Sequence, residues 1–445
     1  MPEAGMRRAR FTSFDGGVVE YAHEIRPDRY RVLESALDKH PRIARGGGYS
    51  YAAASFGAGS VVLQMGAFNR VLRFDRHKAL IEVEAGITLG DLLHITLPAG
   101  LSLPALPGFP AITVGGCIAA DVHGKNPARD GTFCGSVADL TLYHPRHGPM
   151  RIGRDTEASL FDLTCGGYGL TGVIQAATLR LEPVPGQTVK IHRTSFGTLE
   201  DAIELLRDAQ GATMAYTWHD AVPARATFGR GFLYRGAICP GSGSATNSGL
   251  KSDSLTAATR GAVPVSLLTR ITGQALTSAF WRLESSRPSQ SELPLFEALF
   301  PFARRSAYFR LYGRRGLAES QILVPNREIG GFLSDLRREL FKRQPPSLMM
   351  SLKRFEGNQR LLTFDGEGVC VTIDFMRTSG ALEFLAVLDR MAMAVGGIPN
   401  IIKDSRLPQH VVRACYPEYA HFCHRLLDYD PDRVFRSELS QRLGL

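Results

Sequence analysis

Apolar residues in the first part of the chain fall into short runs broken by turns. Arg42–Arg45, Val61–Met65, Val71–Asp75 and Ala79–Glu84 read as strands, and alternation in the third puts Leu72 and Phe74 on one face. Val173–Leu179 is a further apolar strand. Helical spacing appears within 26–40, at Tyr30, Leu33 and Leu37, and over 89–95, where Thr88 can cap. Short strands separated by turns predict mixed α/β sheets, not a doubly wound fold with long crossover helices. The rhythm changes after residue 319. Gln321–Val324, Ser347–Phe355, Val369–Phe375 and Ile398–Ile402 have strand patterns, while 327–343 and 380–395 have helical ones. The first of these helices gathers Ile329, Phe332, Leu333, Leu336 and Leu340 on one face. The order is β-α-β-β-α-β, the ferredoxin-like pattern, whose sheet keeps its helices on one face and leaves the other free to cover something. A short amphipathic helix is expected within 431–445.

The length of 445 residues favours two domains. Hydrophobic residues at 44% and charged residues at 21% exclude disorder along most of the chain, and collagen-like or coiled-coil architectures. Against 43 Asp and Glu stand 52 Lys and Arg, and the net charge of +9 favours phosphates, an anionic membrane surface or nucleic acid. The charge is spread with no long basic run, so nucleic acid is not the expected partner. Seven cysteines without a CxxC pair read as small buried apolar residues in a reducing compartment, and no metal site is expected. The N-terminal stretch has no apolar signal core, and no apolar run approaches the ~18 residues of a membrane span, so a cytoplasmic location is expected. Residues 241–260 are rich in Ser, Thr and Gly, which suits either a plain insertion or a mobile lid, and apolar Val263–Leu268 follows.

Three glycine-rich segments stand out. Arg45-Gly46-Gly47-Gly48-Tyr49-Ser50-Tyr51 is a turn whose backbone N–H groups can cradle phosphate, or a plain tight turn. It is neither GxGxxG before a long helix nor a Walker loop. In the second, Pro107-Gly108 precedes Thr113-Val114-Gly115-Gly116-Cys117, and a helix of small residues ends near Asp121, His123, Lys125 and Asn126. Small side chains there let a flat or anionic group approach the backbone, and the helix start favours pyrophosphate. His123, near Asp121 and next to a glycine, does not look like a core histidine. The third, 165–174, feeds the strand at Val173 through Gly166, Gly167, Gly169 and Gly172. It suits a backbone packed on a ligand or a bulged strand entry.

In this order the three segments resemble the FAD-binding domain of the vanillyl-alcohol oxidase/PCMH-type superfamily. The chain resembles in particular the decaprenylphosphoryl-β-D-ribose 2-oxidase family, through TVGGCIAADVHGKN (113–126), GGYGLTGVI (166–174), LKRF (352–355), IDF (373–375), KDSR (403–406) and DPDRVFRSELSQRLGL (430–445). Residues 240–315 match poorly. The resemblance implies an α+β, two-domain PCMH-type FAD-binding fold with an intervening ferredoxin-like-pattern substrate domain. Residues 1–184 would form the FAD-binding domain and 185–397 the substrate domain, with its loop near 241–260. Residues 398–445 would complete the flavin domain.

The resemblance assigns to FAD Arg45, Gly46, Gly47, Gly48, Tyr49, Ser50 and Tyr51. It adds Pro107, Gly108, Thr113, Val114, Gly115, Gly116, Cys117, Ala120, His123, Gly124 and Asn126, then Gly167, Gly169, Gly172, Val173 and Ile174, with Lys403. Many superfamily members tether FAD through a histidine where this chain has Tyr49, so non-covalent FAD is implied. Cys117 and Cys134 lie near a cysteine tether of some members, but the similar family does not use one. His123 and Lys403 match the active-site histidine and lysine. Which of them takes the substrate proton stays open. Lys353 matches a lysine that would meet a substrate phosphate, and Trp218, Gln321, Thr372 and Asn400 stand at other substrate-pocket positions. Thr372 replaces a typical cysteine, Asn400 an aromatic, and the region near Phe300-Pro301 lacks an aromatic-His-Pro run.

The implied activity is FAD-dependent oxidation of a sugar hydroxyl, at C2 of a polyprenyl-phosphate-linked pentose. It would serve cell-wall polysaccharide biosynthesis. An NADH-dependent short-chain reductase would complete a ribose-to-arabinose epimerisation, and contact with the inner membrane would be peripheral. An alditol or aldonolactone oxidase is the alternative within the superfamily, although that class usually tethers its flavin. A non-catalytic basic protein of membrane surfaces or nucleic acid would leave the three glycine-rich segments unexplained.

Overall fold

The computed structural model describes residues 6–35, 40–209, 211–224, 226–241, 269–301 and 307–445. Leu37, most of the 241–260 stretch and apolar 263–268 lie outside the described residues.

The early strands form two sheets. β1 (Arg7–Thr12) and β2 (Val19–Ile25) make an antiparallel hairpin, and β4 (Val61–Gln64) runs parallel between β2 and β3 (Arg42–Arg45). The second sheet is antiparallel in the order β5-β6-β10-β8-β9, from β5 (Val71–Asp75), β6 (Leu80–Glu84), β8 (Val137–His144), β9 (Gly148–Gly153) and β10 (Val173–Arg180). A small ladder joins β7 (Leu101–Ser102) to β11 (Glu182–Pro183). Thr88 caps the helix Leu89–Thr96 by accepting from Asp91 N, as its position predicts. The expected face of β5 is corrected. A register shift between Val71 and Arg73 leaves Leu72 46% exposed, while Val71 and Phe74 pack on the core. A bulge of this kind cancels period-two reasoning for the rest of a short strand.

The remaining strands build one eight-stranded sheet, in the order β15-β12-β14-β13-β17-β18-β16-β19. Its second half is the predicted unit: β16 (Leu317–Pro325), helix Ile329–Arg343, β17 (Ser347–Glu356), β18 (Glu367–Met376), helix Ser379–Val395 and β19 (Ile398–Pro399). All five apolar positions named on the first helix are buried. Upstream, β12 (Thr188–Phe196), helix Leu199–Arg207, β13 (Met214–Asp220), β14 (Gly231–Cys239), helix Arg270–Ser286 and β15 (Gln290–Pro294) repeat the same element order. The two units meet through antiparallel β13–β17, His219 opposite Met350, so their strand orders mirror each other. Three helices share the core on one face. The fourth, Arg270–Ser286, lies on the other, with Phe280 against Trp218 and Trp281 stacked on Phe232.

The expected strand Ile398–Ile402 ends at Pro399. Asn400 accepts from Ile402 N and turns the chain into the single 3-10 turn Ile401–Lys403. The chain then returns to the first sheet, where Phe435 bridges to Arg42 of β3. The expected terminal helix forms over Glu438–Leu443, capped by Ser437. Arg42 N donates to Val434 O (2.8 Å), and buried Phe435 packs with Leu33, Val61 and Phe68. Five cysteines are buried, and Cys239 and Cys423 are half-buried. No helix among the described residues is long and apolar enough to cross a membrane.

Asp430 fastens this return. Its Oδ2 accepts from Val434 N (2.6 Å) and Phe435 N (3.4 Å) and lies 3.5 Å from His144 Nε2. Burial pushes this carboxyl up, but the contact with His144 and the two amides outweigh it and hold it below the usual carboxylate range. A lowered carboxyl stabilises the fold above its unfolded value of about 3.9, and that stability is lost as pH falls through the lower folded value. Asp430→Asn should therefore cost about 1–3 kcal/mol at neutral pH. In thermal melts across pH, the gap between variant and parent should close in acid.

Candidate active site

One cavity of about 1070 Å³ runs between the glycine-rich segments and the inner face of the large sheet. That is at or above the upper end of ordinary small-ligand pockets, ~300–1,000 Å³. Its first wall depends on side chains that are missing. A Cβ on Gly46 would overlap Thr113 Oγ1, and one on Gly47 would press on Ala111 O. The turn after β3 thus sits against Thr113, which itself caps the helix Val114–Ala120 by accepting from Gly116 N (3.3 Å). Gly46, Gly47, Gly48, Tyr49, Ser50, Tyr51, Pro107, Gly108, Thr113, Gly115, Gly116 and Ala120 line this wall, and Gly169, Gly172 and Ile174 also reach the cavity. Tyr49 packs between Phe14 and Phe109, at centroid distances of 5.6 and 5.4 Å.

Six residues assigned to this wall lie elsewhere. Helical periodicity explains two of them: Gly115, Gly116, Ala119 and Ala120 face the cavity, so Val114 and Cys117 face the core, both 0% exposed. Val173 is likewise in the core. Arg45 turns away to Ser55 (2.7 Å) and the rings of Phe11 and Phe56. Asn126 donates to Ala212 O (2.7 Å), and Gly167 fits tightly under Leu163 O.

At the other end, His123, Gly124, Trp218, Gln321, Lys353, Thr372, Asn400 and Lys403 all line the same cavity. Asp121 does not touch His123's ring chemistry. It takes a left-handed backbone (φ 41°) and accepts from Cys134 N (2.9 Å) and Thr132 Oγ1 (3.0 Å), which braces the loop carrying His123. His123 Nδ1 lies 3.2 Å from Gly124 O, and the ring packs edge-on to Phe355. A carbonyl only accepts, so this contact puts the proton on Nδ1 and leaves a lone pair on Nε2. Burial, then Lys353, with a smaller push from Lys403, hold the imidazole well below its usual range, so it is neutral at pH 7.

Lys403 projects from the 3-10 turn that Asn400 initiates. Its Nζ lies 3.3 Å from Glu319 and 4.0 Å from the centre of the Tyr51 ring. Asn400 Nδ2 donates to Gln321 Oε1 (2.8 Å), and Gln321 Nε2 donates to Glu319 Oε1 (2.9 Å). Lys353 Nζ donates to Gly124 O (3.4 Å), and burial brings its ammonium down to about 8. Lys125 also lines the cavity, and burial, followed by Lys353 and Lys403, brings it down to about 7.

Lys125, Glu319 and Asp374 were not named as site residues from sequence, and each carries a local signal. Lys125 follows His123 by two along an extended loop. Glu319 precedes Gln321 by two, and Asp374 follows Thr372 by two, which puts each on the cavity face of its strand.

The glycine walls, with room for a flat aromatic and a backbone able to meet an anion, fit a flavin dinucleotide. Residues 31–149 match the family described as FAD binding domain. The chain is 31% identical over 431 residues to decaprenylphosphoryl-beta-D-ribose oxidase of Mycolicibacterium smegmatis, covering 93% of this chain and 92% of that protein. It is 32% identical over 177 residues to mouse L-gulonolactone oxidase, 39% of each chain, and 29% identical over 142 residues to the mitochondrial L-galactono-1,4-lactone dehydrogenase of Brassica oleracea, covering 32% and 23%. Fold and site therefore define an FAD-dependent oxidoreductase of the PCMH-type superfamily. Within that class, the chain belongs to the decaprenylphosphoryl-β-D-ribose oxidase family.

Gly46→Ala tests the cradle. The added methyl cannot fit beside Thr113 without moving the turn, and overpacking typically costs about 1–3 kcal/mol. The variant should purify with less bound FAD, read as flavin absorbance per protein, and melt at a lower temperature.

Proposed function

We propose that this enzyme oxidises a secondary hydroxyl of a phosphate-linked sugar, at C2 of a pentose carried on a polyprenyl phosphate. The observation that carries this reading is the pair Lys125 and Lys353. Both line the cavity beside His123, and neither has a carboxylate within ion-pair distance among the described residues. Partly buried lysines with no ion pair of their own favour an anionic ligand, whose charge would restore the ammonium form of Lys125, and a phosphodiester supplies that charge. The substrate would lie between the large sheet, with Trp218 and Thr372, and the glycine walls.

In this reading the roles of His123 and Lys403 separate. The Nε2 lone pair of neutral His123 accepts the hydroxyl proton as the carbon–hydrogen bond breaks. FAD, when bound, accepts the hydride. Lys403 is the fixed positive charge of the site, and Gln321 and Asn400 hold its surroundings in register. The product is a keto-sugar, and an NADH-dependent short-chain reductase acting on it would complete an epimerisation. The division into a flavin domain (1–184 with 398–445) and a substrate domain (185–397) belongs to the same proposal. So do a place at the cytoplasmic face of the inner membrane, peripheral to it, and a part in cell-wall polysaccharide synthesis. FAD is proposed to be non-covalent. Tyr49 offers no imidazole, and the thiols of Cys117 and Cys134 lie in the core rather than on the cavity wall.

Acid precipitation of the yellow protein should release FAD into the supernatant, and colour retained in the washed pellet would contradict the non-covalent reading. Anaerobic flavin bleaching should then be compared for free ribose, an alditol, an aldonolactone and a prenyl-phosphate-linked ribose. The last should reduce the flavin fastest. Lys353→Ala should raise the apparent KM for it alone, and His123→Ala should slow reduction about 100- to 10,000-fold. Fast bleaching by the alditol or lactone, untouched by Lys353→Ala, would replace this reading with the oxidase of free polyols or lactones.

A further inference from the structure

The inner face of the large sheet holds two acids where the family assignment gives no role to either. Glu319 on β16 and Asp374 on β18 are register partners on adjacent strands, both less than 10% exposed and both on the cavity wall. Four further polar groups meet them, and a fifth backs one of these. Lys403 Nζ and Gln321 Nε2 approach Glu319 at 3.3 and 2.9 Å, and the Tyr51 hydroxyl also hydrogen-bonds it. Tyr308 Oη donates to Asp374 Oδ2 (2.8 Å) and lies 2.6 Å from Tyr312 Oη. Lys353 is the next charge outward.

Two carboxylates this close, with one ammonium between them and the cavity, cannot both ionise without a large repulsion. We propose that Glu319 and Asp374 act as a pair with a single shared proton, in which ionised Glu319 fixes the Lys403 ammonium over Tyr51 and protonated Asp374 fixes Glu319. The environments of the two acids favour this division. Glu319 receives a cation and an amide donor, whereas Asp374 receives only the Tyr308 hydroxyl. Burial first, and the charge of Glu319 second, push the Asp374 carboxyl well above its usual range. The pair supplies one negative charge to the cavity rather than two. The lysine is thus held in place, and the cavity keeps its net positive charge for an anionic ligand. Both acids are positioning residues, since neither needs to touch the reacting carbon. The consequence for turnover rests on the role proposed above for Lys403, but the shared proton does not.

Two measurements separate these parts. The infrared difference spectrum of the holoenzyme at neutral pH, parent minus Asp374→Asn, should contain a protonated-carboxyl stretch. Absence of that band from the difference spectrum would overturn the shared proton whatever the substrate is. In single-turnover flavin reduction with any substrate that bleaches the enzyme, Glu319→Gln should lower the limiting rate about 10- to 100-fold with little change in apparent KM, the size expected when a catalytic group moves by about 1 Å. Asp374→Ala should lower it comparably. Asp374→Asn should recover most of that loss, because a neutral amide can replace a neutral acid as donor to Glu319. Equal damage from the Asn and Ala variants, with melting temperatures matched to the parent, would show that Asp374 works as an anion and would refute the proposal.

Discussion

Positive charge held without an equal amount of negative charge is the constraint around which this cavity is built. Lys125, Lys353 and Lys403 come from three separate elements, the loop after the helix Val114–Ala120, strand β17 and the 3-10 turn beyond β19. Across a partly buried cavity charges are poorly screened, and Lys353 and Lys403, after burial itself, help to keep the neighbouring imidazole neutral. A neutral histidine flanked by the ammonium groups of Lys353 and Lys403 is the arrangement on which the proposed removal of a proton from an anionic substrate rests.

The large sheet makes this arrangement possible by dividing labour between its faces. One face is covered by Leu199–Arg207, Ile329–Arg343 and Ser379–Val395 and belongs to an apolar core. The other presents Trp218, Gln321, Lys353, Thr372 and Asp374 to the cavity. Joining two β-α-β-β-α-β units edge to edge at β13–β17 doubles the width of that second face. Only one of the four crossover helices is spent on it, so the polar residues keep their access.

Much of this was legible because the signals are local. Turn chemistry marked the glycine walls, period-two and period-3.6 patterns marked the second unit of the sheet, and the family resemblance of two segments, 113–126 and 403–406, marked His123 and Lys403. The failures are equally specific. The bulge at Leu72 depends on pairing with β6, and the first unit of the sheet is obscured by mixed strands such as TVKIHRTSF and the exposed edge QSELP. The resemblance assigns Val114 and Cys117 to FAD, although a helix of that register turns their side chains inward. Glu319 and Asp374 carry a local hint, their strand parity, but their meeting is fixed only by the pairing of two strands more than fifty residues apart.

The return of the chain after β19 has a bearing on how the protein comes into being. Ser405 hydrogen-bonds Asp15 across 390 positions of sequence, and Phe435 completes the small core formed by Leu33, Val61 and Phe68. During synthesis the first domain therefore leaves the ribosome lacking part of its own interior, and it waits while the entire intervening sheet is made. Contacts of such long separation form slowly because the loop between them must close first. The glycine-lined wall and the segment that brings Lys403 to it cannot meet until the intervening sheet has been made. A half-made chain thus holds the glycine-lined wall without the Lys403 side of the cavity.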